Sequence, residues 1–223
     1  MIELMLYRVL KGPSQRVRAA LNQSPPTFTA FLRAWNQTPT LLGVSPLVVP
    51  PPSDWGAHIH TTGYWVDDAP SGWQPSPALS AFLANGDPPV YIGFGSMSNR
   101  DPLNTTRIMI DALQQTGKRG ILHSGWGRLT AQDIPSEIFI LDYAPHTWLF
   151  PRMAAVVHHG GAGTTAAALR AGVPSTIVAH IGDQPFWGRR VYELGVGGAP
   201  LRHHQLTTQR LAAAIQGMIR DDQ

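Results

Sequence analysis

The stretch His159-Gly160-Gly161-Ala162-Gly163-Thr164-Thr165 concentrates groups that handle an anion. Glycines let backbone approach a ligand closely, and the two threonine hydroxyls can donate to it. The stretch follows an apolar run, Ala154-Ala155-Val156-Val157-His158, and leads into helix-forming residues. Unpaired N–H groups and the positive end of a helix dipole therefore converge on it. A threonine there can also cap the helix. His159 adds a donor whose charge changes near neutral pH, and a histidine beside a glycine nest suits a diphosphate, whose charge grows as it departs. No Gly-Lys-Ser/Thr follows, so this is not a Walker phosphate loop, and the spacing is not Gly-x-Gly-x-x-Gly. The other use of such a stretch is a structural turn with a satisfied histidine.

Three further groups carry weaker signals. Gly93-Phe94-Gly95-Ser96-Met97-Ser98 offers glycines and hydroxyls to an anion, although small residues also make ordinary strand-to-helix turns. Asp183 and Gln184 offer acceptors and donors to the vicinal hydroxyls of a sugar. They equally read as a plain helix start, because Asp is a good N-cap and Pro185 suits the first turn. In Asp142-Tyr143-Ala144-Pro145-His146 an aromatic ring could present a flat face to a base, or belong to the core.

The elements that must position these groups alternate. Residues 78–84, 104–116, 164–171, 184–194 and 207–219 read as helices. Residues 90–94, 119–123, 137–141, 154–158 and 175–179 read as strands. This is the spacing of βαβ units. It predicts an α/β fold: a doubly wound, Rossmann-like parallel sheet with helices on both faces. Ligands of such sheets sit beyond the carboxyl ends of the strands, where all four groups fall. The chain opens differently. Helices are expected at 14–21 and 27–35 and a strand at 44–49. Ten of the 20 prolines lie between Pro39 and Pro89, which makes residues 50–77 a stiff linker rich in Pro and Trp. The expected division is residues 1–49, linker 50–77 and a ligand-binding domain at 78–223.

Composition narrows the chemistry. The 223 residues are 43% hydrophobic and 14% charged, with 17 basic and 14 acidic residues for a net charge of +3. That balance is too mild and too scattered for a nucleic-acid partner. Without cysteine there is no disulfide framework, zinc–thiolate site, iron–sulfur cluster or cysteine nucleophile. The opening Met1-Ile2-Glu3-Leu4-Met5-Leu6-Tyr7-Arg8 lacks the basic start of a signal peptide. No stretch approaches the ~20 apolar residues that span a bilayer. The expectation is a cytoplasmic chain; the seven tryptophans leave peripheral contact with a membrane surface open.

Taken together, the motifs resemble the C-terminal, donor-binding half of family 1 UDP-glycosyltransferases of GT-B fold, in particular sterol 3β-glucosyltransferases and macrolide or glycopeptide-antibiotic glycosyltransferases. The likeness runs from about residue 38 to 217 and is strongest over Leu141–Gly197. It rests on His158-His159-Gly160-Gly161-Ala162-Gly163-Thr164, Arg170-Ala171-Gly172-Val173-Pro174 and Asp183-Gln184-Pro185. The sterol-enzyme character comes from Ser45-Pro46, Pro52-Ser53-Asp54-Trp55, Thr62-Gly63-Tyr64-Trp65 and Gly93-Phe94-Gly95-Ser96-Met97.

The resemblance implies roles. Tyr143, with Ala144, meets the nucleobase and ribose. His159, Gly160, Gly161, Gly163 and Thr164 bind the leaving diphosphate, with Ser96 facing them. Asp183 and Gln184 hold the hydroxyls of the transferred sugar. Where plant relatives carry a ribose-binding glutamate, eight residues past the motif histidine, this chain has Ala167, so ribose recognition must differ. The implied activity is inverting transfer of a hexose, glucose by resemblance, from a UDP-sugar to a hydroxyl of a lipid-like sterol or polyketide acceptor. The UDP-sugar is a substrate, no cofactor is implied, and the absence of Asp-x-Asp implies no metal. Within the same fold, a UDP-GlcNAc epimerase or peptidoglycan-type transferase is disfavoured by Asp183-Gln184 and Asp54-Trp55. The family's acceptor domain and its general base precede the donor domain. Residues 1–49 look like a remnant of that domain, and the first histidine is His58. No catalytic base is therefore assigned in this chain. The alternative is a non-catalytic nucleotide-sugar binding module that works with a separate acceptor-domain subunit.

Overall fold

The structure, a computed structural model, describes residues 2–67, 70–95, 97, 101–123 and 134–220. They form two compact units, Met1–Trp65 and Val66–Gln223.

In the first unit α1 (Ile2–Ala20) packs on α2 (Phe28–Gln37). The Tyr7 ring lies 5.3 Å from Phe28 and 5.5 Å from Phe31, and its hydroxyl donates to the Pro26 carbonyl at 3.1 Å. These tertiary contacts explain why α1 begins well before the expected residue 14 and runs through Pro13. Thr27 caps α2 by accepting from the Ala30 N–H at 3.2 Å. The strand expected at 44–49 is a turn instead. The Ser45 carbonyl accepts from the Val48 and Val49 N–H groups, as Ser-Pro at a turn start allows. The strands are β1 (Thr40–Leu42) and β2 (Ile59–Thr61), paired in parallel. Thus β2 lies inside the segment 50–77 read as a linker, and the boundary between units falls there too, at Trp65/Val66.

The second unit begins with α3 (Pro77–Ala84), β3 (Val90–Gly93) and α4 (Pro102–Thr116). Then come β4 (Gly120–His123), β5 (Ile138–Leu141) and a short α5 (His146–Leu149). β6 (Ala155–His158), α6 (Ala162–Ala171), β7 (Ser175–Ala179) and α7 (Gln184–Glu193) follow. A two-residue β8 (Leu201–Arg202) and α8 (Thr208–Arg220) complete it. The strands form one parallel sheet in the order β5-β4-β3-β6-β7-β8.

Alternation along β3 divides the core between the two faces of this sheet. Val90 and Ile92 pack with Leu113, Val157, Leu211 and Ile215. Tyr91 packs with Ile121, Leu149, Phe150, Val156 and Ala168. Every residue of β3, β6 and β7 is buried, as expected of a parallel sheet covered on both sides. The expected doubly wound sheet is present. Its order reverses between β3 and β6, where Gly93 lies opposite His158. Such a switch opens a crevice at the strands' carboxyl ends.

Candidate functional site

His158 ends β6 at this crevice, His159 follows it, and the two face different surroundings. His158 is fully buried, and its Nδ1 accepts from the Gly160 N–H at 3.1 Å. Nδ1 is therefore unprotonated and Nε2 carries the proton. Burial, with repulsion from His159 and His146, lowers its pKa to about 3. His158 is thus a neutral internal brace that shapes the turn. Gly160 makes that turn at φ +89°, and a Cβ there would come within 2.6 Å of Ile177. Both the conformation and the space demand glycine.

His159 is half-buried, with its Nδ1 buried and without a partner. Its ring is cradled by two glycines: a Cβ on Gly95 would lie 3.1 Å from Cε1, and one on Gly161 2.6 Å from Nε2. Burial lowers its pKa, against the opposing pull of the Asp183 carboxylate. The first turn of α6 begins at Gly161 with no side-chain cap, so its N–H groups remain available to a ligand. A Cβ on Gly163 would meet no atom within 4 Å, so protein packing does not require this glycine. Thr164 is half-buried in the same turn, whereas Thr165 is buried and bonds back to the Gly161 carbonyl at 3.0 Å. Ser96 lies outside the described residues.

Asp183 is exposed in the loop after β7. It does not cap α7; its Oδ2 accepts from the Trp187 indole N–H at 2.7 Å. Gln184 is buried, and its Oε1 accepts from the N–H groups of His180 at 2.6 Å and Ile181 at 3.0 Å. Its Nε2 points at the Met97 sulfur, 3.4 Å away. The Gln184 amide oxygen is therefore already used within the loop, so of the acceptor and donor expected to meet a sugar only the amide N–H has capacity for a ligand.

Tyr143 follows β5 and is 60% exposed, whereas Ala144 is buried in the core and can offer only backbone. β5 stands three strands from β6 in the sheet, about 14 Å at ordinary strand spacing. Ala167, half-buried on α6, packs against the core cluster around Leu149 and Phe150. Along the row of strand ends the order is Tyr143, the glycine nest with His159, then Asp183: an aromatic face, an anion site and a hydroxyl acceptor.

The family model for the C-terminal domain of erythromycin biosynthesis protein CIII-like proteins matches residues 108–223. The chain belongs to this family. It is similar to sterol 3-beta-glucosyltransferase UGT80B1 of Arabidopsis thaliana, 45% identical over 197 residues, which is 87% of this chain and 32% of the relative. The chain thus spans about a third of that relative's length. Among solved structures it is similar to the calicheamicin glycosyltransferase CalG4, with TM-score 0.64 and 19% identity over 93% of this chain and 55% of that one. It is also similar to Arabidopsis thaliana UGT89C1 complexed with UDP, with TM-score 0.57 and 20% identity over 74% of this chain and 44% of that one. The fold of this EryCIII-like domain is that of the GT-B glycosyltransferases, as its motifs imply.

Three residues of the EryCIII-like domain escaped the motif reading. Trp187 holds the Asp183 carboxylate. His123, at the end of β4, has one ring nitrogen, Nε2, bonded to the Asp142 carbonyl at 2.9 Å, while Nδ1 is buried without a partner. His180, the first residue after β7, is in the same situation: Nδ1 is bonded to the Val178 carbonyl and Nε2 is orphaned. His180 follows β7 as His159 follows β6, and His123 closes β4 as His158 closes β6, so their positions were a usable signal. Which ring nitrogen stays free depends on orientation and needs the structure.

Proposed function

We propose that this chain is the donor-binding half of an inverting UDP-glycosyltransferase that moves a hexose, glucose on this reading, to a hydroxyl of a lipid-like sterol or polyketide acceptor. The observation that carries the proposal is the order along the strand ends. Tyr143, the His159 nest and Asp183 follow the order of base, diphosphate and sugar in a UDP-sugar. The relatives' names support the transfer class, and the UDP bound to the plant structure supports the donor.

In this mechanism a base on the acceptor side deprotonates the hydroxyl. The oxygen attacks the anomeric carbon from the face opposite UDP, and the bond to the diphosphate breaks. The leaving diphosphate gains negative charge beside the N–H groups of α6, the positive end of its dipole and a ring N–H of His159. Donors already aimed at that charge stabilise the transition state more than the ground state. The acceptor site comes from a further domain or a separate subunit, and a lipid-like acceptor favours work at a membrane surface. No described helix is long and apolar enough to cross a membrane.

Calorimetry of the chain with UDP and UDP-glucose, with and without EDTA, tests the donor site. The proposal expects UDP binding of modest affinity that survives chelation. Loss of binding on chelation, or no preference for UDP over unrelated nucleotides, counts against it.

A further inference from the structure

We infer that His180 Nε2 accepts a hydrogen bond from a hydroxyl of the donor sugar, so that His180 and Asp183 together read the transferred hexose. The inference rests on the UDP-sugar reading of the site and adds a sugar contact that the motifs do not supply.

Three contacts fix the ring of His180. Its Nδ1 lies 2.9 Å from the Val178 carbonyl. A carbonyl only accepts, so the proton sits on Nδ1 and Nε2 carries a bare lone pair. The ring stacks on His203, with centroids 4.2 Å apart and planes 26° apart, and tilts against Phe94 at 5.4 Å. The backbone N–H is held by the Gln184 amide oxygen at 2.6 Å. A ring fixed this firmly leaves Nε2 buried and without a partner. Buried polar atoms are rarely left in that state without a ligand or water to meet them.

Position and charge indicate the partner. His180 is three residues before Asp183 in the same loop, and Phe94 belongs to the segment after β3 at the sheet's switch point. Burial is the main cause that keeps His180 neutral at pH 7, with His203 and His159 acting in the same direction. A neutral imidazole nitrogen with a lone pair accepts from a hydroxyl and repels an anionic phosphate oxygen. His180 therefore suits the sugar rather than the diphosphate, the opposite preference from the α6 nest.

Two variants of the 223-residue chain test this. His180→Phe keeps a ring between Phe94 and His203. His180→Asn keeps a donor for the Val178 carbonyl but does not reach the Nε2 position. Each should bind UDP within about twofold of the wild-type affinity and bind UDP-glucose about five- to tenfold more weakly, the effect of one neutral hydrogen bond. In the wild-type chain labelled with ¹⁵N-histidine, the Nε2 resonance of His180 should move on adding UDP-glucose and stay in place with UDP. An unchanged UDP-glucose to UDP affinity ratio in both variants, or equal movement with either ligand, overturns the inference alone. A wild-type chain that does not bind UDP overturns the donor-site reading and this inference with it.

Discussion

The Asp183 carboxylate accepts a 2.7 Å hydrogen bond from the indole N–H of Trp187, one turn into α7. An aspartate at a helix start ordinarily turns inward to cap the helix, and this one does not. Trp187 is buried, so the bond pins an exposed carboxylate to a fixed point and leaves its other oxygen free for a ligand. Trp187→Phe removes the donor and keeps most of the packing. It should cost about 1–3 kcal/mol of stability and weaken UDP-glucose binding severalfold while UDP binding holds. Asp183→Ala should weaken UDP-glucose binding further, again with UDP nearly unchanged. Calorimetry with both ligands, alongside thermal melts, separates the outcomes. Equal loss of both ligands would make Asp183 structural.

Adjacent histidines should divide stability from binding. On the proposed donor reading, His159→Ala removes a donor to a charged diphosphate oxygen, worth roughly 1.5–3 kcal/mol. UDP binding should therefore fall about ten- to a hundredfold at neutral pH, with little change in melting temperature. His158→Ala leaves the Gly160 N–H without its acceptor and opens a cavity. Together these should cost about 2–4 kcal/mol, while the folded fraction binds UDP almost normally. In an enzyme completed by an acceptor domain, His159→Ala should lower turnover more than donor affinity, because the diphosphate gains charge toward the transition state. If His158→Ala abolishes binding and His159→Ala spares it, the roles are reversed.

Acid should destabilise this fold through His158. Its folded pKa, about 3, lies far below the ordinary value of 6.5, because burial opposes the charged form. Between those values the unfolded chain binds the extra proton, so stability rises with pH. The contribution is fully present above about pH 6.5 and is lost as pH falls toward 3, by up to about 1.4 kcal/mol per unit. His146 and His180, both lowered to about 4, act in the same direction. Melting temperatures between pH 7 and 4 should therefore fall steeply for the wild-type chain. They should fall less for His158→Asn, whose amide oxygen can still accept from Gly160. Equal slopes for the two proteins would remove His158 as a source.

The alternating elements were legible because buried parallel strands read as apolar runs and their helices keep a period of 3.6. The His159 nest was legible because glycines and hydroxyls cluster where a strand gives way to a helix. Gln184 shows where local reading stops. Its oxygen serves N–H groups three and four residues back and its nitrogen faces Met97, 87 residues away. The oxygen's partners are local but depend on the path of the loop, and only tertiary structure brings Met97 to the nitrogen. β1 and β2 hid for a related reason: three-residue strands carry too little pattern, and their pairing, not their composition, makes them strands. The turn at Ser45 was misread because Val-Ser-Pro-Leu-Val-Val has strand-like composition, while Ser-Pro dictates the local path.

Substituting either glycine of the α6 turn should weaken UDP binding, by different routes. Gly163 sits in the helix with open space around its Cβ position. Alanine there should stabilise the fold by up to about 1 kcal/mol, from helix propensity alone. On the proposed donor reading, a methyl group in that space would nevertheless stand where the phosphate approaches the backbone, so Gly163→Ala should raise the melting temperature and weaken UDP binding together. Gly161 has an unstrained backbone, with φ −62°. Its added methyl would lie 2.6 Å from His159 Nε2 and push the ring from its cradle. Gly161→Ala should change stability little and reduce UDP affinity about as much as His159→Ala. The double variant Gly161→Ala/His159→Ala should then lose little more than either single change, because both act through one ring. Additive losses would mean that the glycine contacts the ligand directly and the cradle is incidental. If Gly163→Ala stabilises the chain and leaves UDP affinity unchanged, the diphosphate does not rest on the first turn of α6, and its binding must be sought elsewhere along the strand ends.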